Sequence, residues 1–219
     1  MATRYLKIGS YDTAAQGWTL SALKITKGAQ VQSFVSVPGR SAPLDLSTAL
    51  TDGVPTYGNA TLEATLERSD GTRSTRETKI NDLVAAVDGM SLHIEHPDWP
   101  GHYLIGRVQI TRNYSDLAHC SVNVSAVCDP WFYYDLTTSK TINGTGTIVF
   151  NMTGRKPFTP TLKLSGAATL SANGTEQALS AGTYTLPWLT VTSGSLTVNV
   201  ATTAAVTITA TYREGSVAQ

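Results

Sequence analysis

The chain has 219 residues, and its sixteen basic and sixteen acidic side chains give a formal net charge of zero. A chain of this length can form one large domain or two modest ones, each with its own core. The neutral balance argues against a strongly electropositive nucleic-acid interface, so we predict no specific nucleic-acid binding. No apolar run approaches the roughly eighteen residues of a membrane-spanning helix, and we expect no membrane span.

The N-terminal segment MATRYLKIGSYDTAAQGW lacks the apolar stretch of a secretory signal peptide. We therefore expect the chain to be made and folded in a cytoplasm. Asn-x-Thr triplets such as Asn143-Gly144-Thr145 then reflect a threonine-rich composition rather than sites of glycan attachment.

Composition and charge change near residue 135. Residues 1–135 carry eleven basic and fourteen acidic side chains, a net charge of −3, whereas residues 136–219 carry five basic and two acidic ones, a net charge of +3. The second segment also holds twenty threonines. We predict two domains, 1–135 and 136–219, with the boundary at the segment DPWFYYDLTTSK.

The first domain is predicted to be mostly strand with one helix. Strand patterns cover residues 61–66, 90–96, 102–111 and 118–127. Between the first two, the segment RSTRETKINDLVAAVDG predicts a helix at about residues 75–88.

The helix prediction depends on apolar spacing and on signals at both ends. Ser74 and Glu77 have the spacing of a capping box, and Gly89 is placed to end the helix in the left-handed conformation. We expect the helix to pack against a sheet through residues at the i, i+3, i+4, i+7 spacing of one face: Ile80, Leu83, Val84 and Val87.

The second domain is predicted to be strand throughout. Short segments rich in Thr and Val recur about every ten residues, with Gly, Asn or Ser between them. They are TIVFNM, PTLKLSG, YTLPWLTV, SLTVNVA and AAVTITATY. This pattern is typical of a β-sandwich or a small barrel, so the whole chain is expected to be mainly β.

Three of the four histidines fall in the segment HIEHPDWPGH, residues 93–102. Its prolines exclude a helix, and in a strand His93 and His96 point to opposite faces, so they cannot bind one ion. A hairpin closing at PDWPG can place His96 opposite His102 with Asp98 nearby, which leaves a weak divalent-metal site as an alternative. We favour a surface turn and predict no metal site.

The two cysteines lie in the alternating segment HCSVNVSAVC. In an extended strand Cys120 and Cys128 share a face but are about 26 Å apart, so they cannot bond to each other. We expect buried free thiols, as in a reducing compartment.

Motifs of catalysis are not found. There is no G-x-S-x-G nucleophile motif, and Gly144-x-Gly146 lacks the third glycine of a dinucleotide site. Glu176 and Glu214 are the only acids after residue 135, which disfavours acid–base chemistry there. We predict that the chain is not an enzyme and has no cofactor; a metal-dependent hydrolase built on the histidines is the least favoured alternative.

Aromatic residues of the second domain offer an alternative function. Trp188, Tyr184 and Tyr212 have the chemistry to stack on a sugar ring, as in carbohydrate-binding modules. The competing interpretation, which we favour for each, is that the ring fills the sandwich core. Trp188 and Tyr184 are the candidate saccharide contacts.

One segment of the first domain resembles a known family. From residue 38 the chain reads PGRSAPLDLSTALTDGVPTYGNATLEATLER, which includes Gly39, Arg40, Asp45, Leu46 and Tyr57. This loop, the helix, the histidine hairpin and the strand ending AVCDPWFYYD follow the order of elements in the N-terminal domain of phage distal tail proteins (Dit). The resemblance covers about residues 1–135 and rests on that order.

The resemblance implies a first domain that is a β-sandwich or split barrel with one short helix, forming a six-membered ring at the end of the tail tube. It implies a second domain that is a galectin-like or carbohydrate-module-like sandwich. The expected partners are further copies of the chain, the tail tube protein, a tip, tail-associated or fibre protein, and a host surface saccharide.

The expected location is the virion tail tip, after synthesis in the host bacterium. Residues 28–57, low in charge and rich in Pro and Gly, are the candidate for a loop that reaches a neighbouring copy. The alternative function is a carbohydrate-binding module or tail-fibre domain that recognises host saccharide.

Overall fold

A computed structural model describes residues 5–49, 51, 53–113 and 120–218. The predicted mainly β fold is confirmed, since the described residues form seventeen strands, one α-helix and one 3₁₀ turn. The chain divides into two compact units, Met1–Phe132 with Val217–Gln219, and Tyr133–Ser216. The charge pattern places a boundary nearby, at 135/136.

The first unit contains nine strands and the helix. They are β1 (Lys7–Ile8), β2 (Tyr11–Asp12), β3 (Thr19–Thr26), β4 (Phe34–Val35), β5 (Leu44–Asp45), β6 (Ala60–Arg68), α1 (Arg73–Val87), β7 (Ser91–Glu95), β8 (His102–Asn113) and β9 (Cys120–Cys128). The next strand, β10 (Trp131–Ile142), begins in this unit and continues into the second.

Seven strands of the first unit form an antiparallel sheet in the order β3-β6-β9-β8-β7-β1-β2, and β4 pairs only with β5. Because side chains alternate along a strand, one face of this sheet is apolar. The register places Leu62 opposite Ala126 and Leu66 opposite Val122, and all four are buried. Helix α1 adds its buried side chains to the same core: Ile80, Leu83 and Val87.

The predicted helix is confirmed, but its N-terminal cap is not the predicted one. Thr72 is the N-cap, and its hydroxyl accepts a hydrogen bond from the Thr75 amide at 3.2 Å. The capping box assigned to Ser74 and Glu77 is therefore wrong, because the Glu77 carboxylate instead pairs with Arg112 at 3.3 Å. Gly89 has a φ of 74°, the left-handed conformation expected after the last turn.

The strands predicted over 61–66, 90–96 and 102–111 are confirmed as β6, β7 and β8. The strand predicted over 118–127 corresponds to β9, and its first residues lie outside the described part of the chain. Strand β3 was not predicted. Its register shifts between Leu20 and Ala22, and such a bulge breaks the alternation by which a strand is recognised.

The second unit contains the remaining strands and a 3₁₀ turn. They are β11 (Thr145–Asn151), β12 (Thr161–Leu164), β13 (Ala168–Ala172), β14 (Thr175–Leu179), β15 (Gly182–Thr185), η1 (Pro187–Leu189), β16 (Ser195–Ala201) and β17 (Val206–Val217). Two four-stranded layers result, in the orders β15-β12-β17-β10 and β11-β16-β13-β14.

The predicted sandwich of the second unit is confirmed by its core. Phe150 and Leu170 from one layer and Leu162 and Ile208 from the other belong to one buried cluster. The strand predicted from YTLPWLTV is wrong in its second half. Strand β15 ends at Thr185, and a 3₁₀ turn begins at Pro187, since proline has no amide hydrogen to donate to a strand partner.

The predicted free, buried thiols are confirmed at Cys120 and Cys128. Burial raises the pKa of the Cys128 thiol to about 11. Cys128 lies opposite Gly106 in the β8–β9 pair, and a methyl group added to Gly106 would overlap the Cys128 sulfur. Glycine is thus required where the two strands approach the thiol.

We expect Gly106→Ala to lower the free energy of unfolding by about 1–3 kcal/mol, because the added methyl group overpacks the core. In a Cys128→Ala background, which removes the sulfur, the penalty of Gly106→Ala should shrink. Urea unfolding of the two single variants and the double variant measures the coupling. Equal penalties in both backgrounds would contradict this account.

Candidate functional site

Among the described residues of the first unit, the longest exposed stretch is an arm, which we define as residues 29–46; every residue in it is exposed. In the arm β4 pairs with β5, with Phe34 opposite Asp45 and Val35 opposite Leu44. At the tip the Arg40 amide donates to the Val37 carbonyl at 3.1 Å. The arm is therefore a hydrogen-bonded hairpin rather than the irregular loop suggested by its Pro and Gly content.

The arm is attached through a short stem. The Gly58 amide donates to the Ala29 carbonyl at 2.8 Å, and the Val31 amide donates to the Thr56 carbonyl at 2.9 Å. A methyl group on the buried Gly28 would overlap the Gly58 carbonyl oxygen. The two sides of the stem can approach this closely only because residue 28 lacks a side chain, and this contact fixes where the arm begins.

The surface of the arm is apolar and almost uncharged. Its charged residues are Arg40 and Asp45, which have opposite signs. Among the described residues there are ten exposed large apolar side chains, and six of them lie in the arm: Val31, Phe34, Val35, Val37, Leu44 and Leu46. Such a concentration of exposed apolar side chains is typical of a protein–protein contact.

Hydrogen bonds close the base of the arm hairpin. The Ser47 amide donates to Asp45 Oδ1 at 2.9 Å, and Ser47 Oγ accepts from the Ser33 amide at 2.9 Å. Hydrogen bonds from the Ser47 side chain and backbone lower the pKa of the Asp45 carboxyl group. Because these bonds favour the ionised carboxylate, they stabilise the folded arm fully at pH values above the ordinary pKa of an aspartate. This stabilisation is lost as the pH falls through the lowered pKa of Asp45.

The structure brings the five family-like loop residues into the arm and its stem. Gly39, with a φ of 83°, and Arg40 lie at the tip, while Asp45 and Leu46 lie at the end of the second strand. Tyr57 lies in the stem, bridged to Gln30, and its ring makes an edge contact with Trp131 at 5.7 Å between centroids. Their role in contacting another chain stays a prediction.

The histidine segment forms the predicted hairpin between β7 and β8. His93 is exposed and stacks on Tyr103 at 4.4 Å between centroids, whereas His96 is buried, so the prediction that the two point to opposite faces is confirmed. His96 Nδ1 accepts a hydrogen bond from the Asp98 amide at 3.1 Å, and the ring contacts Trp99. His96 thus organises the turn.

The histidine hairpin raises the question of a metal site in the part of the chain that the structure describes. Within it, no group of three or more His, Cys, Asp or Glu side chains is arranged to hold a metal ion. Nor does any helix in that part have the length and apolarity to cross a membrane.

The candidate saccharide contacts Trp188 and Tyr184 are half-buried and pack against the core of the second unit. The Trp188 indole N–H donates to Gln177 Oε1 at 3.1 Å, and the Tyr184 hydroxyl lies 3.1 Å from Ser180 Oγ. Tyr212 stacks on Phe158 at 4.5 Å between centroids. These contacts explain why the three aromatic rings lie where they do in the fold. Contact of Trp188 or Tyr184 with a saccharide stays a prediction.

A groove of about 390 Å³ on the outer face of the β11-β16-β13-β14 layer was not predicted. A signal for it was present, because Asn-Gly is the strongest two-residue hairpin turn. Asn173 and Gly174 have φ values of 50° and 76°, and this turn places Ser171 opposite Glu176. Both side chains line the groove.

Neither the protein-family models nor the curated proteins include a match to this chain. Among solved structures, the crystal structure of the Dit protein of phage SPP1 matches with a TM-score of 0.66 at 13% sequence identity. The match covers 96% of this chain and 98% of that one. The chain has a Dit-like fold. The SPP1 protein is described as a paradigm of the hub adsorption apparatus in phages that infect Gram-positive bacteria.

The resemblance predicted from residues 1–135 is thus confirmed at the level of fold, and the likeness extends into the second unit. Within the Dit-like chain the histidine hairpin is a structural element of the first unit's sheet, because β7 pairs with both β1 and β8. The arm, in contrast, is not covered by the packing of the first unit, and all of its residues are exposed.

We expect His96→Ala to destabilise the chain by about 1–3 kcal/mol, because a buried ring and its hydrogen bond to the turn are lost. His102→Ala, at an exposed site, should change stability by less than about 0.5 kcal/mol. Thermal unfolding measures both effects. Stoichiometric metal in the wild-type chain that is lost from both variants would instead support a metal site.

Proposed function

We propose that this chain is a structural protein of the hub at the distal end of a phage or prophage tail, and that six copies form a ring there. The observation that carries the proposal is the fold likeness, over nearly the whole of both chains, to a protein described as a hub of the adsorption apparatus. In this function the chain acts through its surfaces and catalyses no reaction.

The arm supports ring formation. A closed ring of identical copies uses heterologous contacts, in which one surface of each copy meets a different surface of the next. The arm is suited to be one of these surfaces, because burying its six exposed apolar side chains against a neighbour removes them from water. It carries only two charged side chains, Arg40 and Asp45, so few charged groups would have to leave water.

The proposed ring joins the tail tube protein on one side to tip, tail-associated or fibre proteins on the other. The chain is made in the cytoplasm of the bacterial host and becomes part of the virion tail tip. Its neutral charge balance suits a ring through which DNA passes, because clustered basic side chains would bind phosphates and retard ejection.

The ring is tested on the purified full-length chain. Light scattering after size exclusion should give six times the mass of one chain, and negative-stain images should show rings. If the chain stays monomeric, the measurement is repeated with purified tail tubes, where rings should appear at the tube end. A chain that is monomeric alone and does not bind tubes would contradict the proposal.

The role of the arm is tested with a matched pair of variants. Val35 and Val149 are strand residues with exposed fractions of 44% and 47%, one in the arm and one in the second unit. We expect Val35→Asp to weaken ring assembly at least tenfold, because a charge would be buried in the contact. Val149→Asp should assemble as the wild type does, as measured by the concentration at which rings dissociate.

Trypsin gives a second measurement of the arm contact. Arg40 lies at the exposed tip, so cleavage before Ser41 should be the fastest in the monomer and should be slowed in the ring. Equal weakening of assembly by both valine variants, with Arg40 equally cleavable in rings and monomers, would exclude the arm as the contact. It would leave the ring itself in place.

A further inference from the structure

Two Asn-Gly pairs lie in exposed turns of the second unit. Asn143 and Gly144 join β10 to β11, and Asn173 and Gly174 join β13 to β14. Asparagine is prone to deamidation before glycine, which has no side chain to hinder attack by its backbone nitrogen. We propose that Asn173 is a site of spontaneous deamidation in the folded chain, and that the fold protects Asn143 from the same reaction.

The reaction needs only water, hydroxide and the residues of the turn. The Gly174 backbone nitrogen loses its proton to hydroxide and forms a bond to Cγ of the Asn173 side chain. The bond between Cγ and the side-chain nitrogen breaks, and that nitrogen takes up a proton from water and leaves as ammonia. Water then opens the resulting succinimide ring at either carbonyl, which gives aspartate or isoaspartate at position 173.

At the turn between β10 and β11, the attacking nitrogen is held by a hydrogen bond. The Gly144 amide donates to Thr202 Oγ1 at 3.1 Å, and the Thr202 amide donates to the Gly144 carbonyl at 2.7 Å. Gly144 is thus fixed through both its N–H and its C=O groups. Because the nitrogen must lose its proton and turn toward the Asn143 side chain, the bond to Thr202 has to break before the reaction.

At the turn between β13 and β14, the attacking nitrogen is not held in this way. Among the described residues, the Gly174 amide has no hydrogen-bond partner. Asn173 and Gly174 are both exposed, with φ values of 50° and 76°. A residue with a side chain adopts the left-handed conformation at some cost, so Asn173 gives up little when it leaves that conformation to react.

Opening of the turn is also easier between β13 and β14. Among the described strands, β14 pairs only with β13, and four of its five residues are exposed. In contrast, β11 pairs with β16 along all seven of its residues and buries Ile148 and Phe150. Segments with few buried apolar contacts open at a lower free energy, so the Asn173 turn reaches the reactive conformation more often.

The modification changes the hairpin in two ways. It adds one negative charge to a chain whose formal net charge is zero. Isoaspartate also lengthens the backbone of the turn by one carbon atom, whereas the two-residue turn pairs Ala172 directly with Thr175. The extra atom displaces that pair, and the register of β14 on β13 is no longer fixed by the turn.

The test is peptide mapping of the full-length chain after incubation in mildly alkaline buffer. Trypsin places the two sites on separate peptides, residues 141–155 and 164–213. Mass spectrometry measures amide loss at each site, and labelling by an isoaspartyl methyltransferase identifies isoaspartate. We expect Asn173 to react about fivefold faster than Asn143, the factor that corresponds to one ordinary hydrogen bond.

A matched pair of variants tests the protection of Asn143. Thr202→Val keeps the shape of the side chain but removes the hydroxyl group that accepts from Gly144. It should speed the reaction at Asn143 by about fivefold and leave the rate at Asn173 unchanged. Thr203→Val makes the same substitution at the adjacent exposed residue and should alter neither rate.

Unfolding in urea gives a further control, because it removes the local structure that separates the two sites. Asn143 and Asn173 should then react at similar rates. The proposal is overturned if the two sites react equally fast in the folded chain, or if Asn173 reacts only after unfolding. A rate at Asn143 that Thr202→Val does not change would overturn the account of its protection.

Discussion

The pairing of β6 with β9 is the contact on which the first unit depends. It aligns Leu62 with Ala126, Ala64 with Val124 and Leu66 with Val122, so that two apolar faces become one buried surface. A slip of one residue would turn Glu63 and Glu67 inward and leave two carboxylates buried without cations. Helix α1 and the histidine hairpin both need this surface, because neither buries its apolar side chains without it.

The alternation of side chains between the two faces of a strand gives the second unit two outer faces of different chemistry. On one layer, threonine hydroxyls in facing positions hydrogen-bond to one another. On the other layer, hydroxyl, amide and carboxylate groups lie around a groove. The inner sides of the layers are nevertheless alike, since each contributes branched aliphatic residues to one core.

Elements whose apolar residues repeat with a regular spacing could be predicted from the sequence. Features that depend on tertiary contacts could not. The spacing of Ile80, Leu83 and Val87 identified the helix, but its cap could not be assigned because Ser74 and Thr72 are both capable of it. The arm was recognised as a reaching, family-like loop but not as a hairpin, since its two-residue strands carry no periodic signal. The groove was missed because its residues come from four strands. The Asn173-Gly174 turn sets only the β13–β14 register, and the pairings of β16 with β11 and β13 follow from no local pattern.

The apolar arm has a consequence for temperature. A contact made mainly of branched aliphatic side chains and Phe34 would have a large negative heat-capacity change and, near room temperature, an entropic driving force. Its strength would therefore decline on cooling, unlike that of a contact made of ion pairs. A ring held together by such arms would be tighter in a warm medium than in a cold one, and would loosen in storage at low temperature.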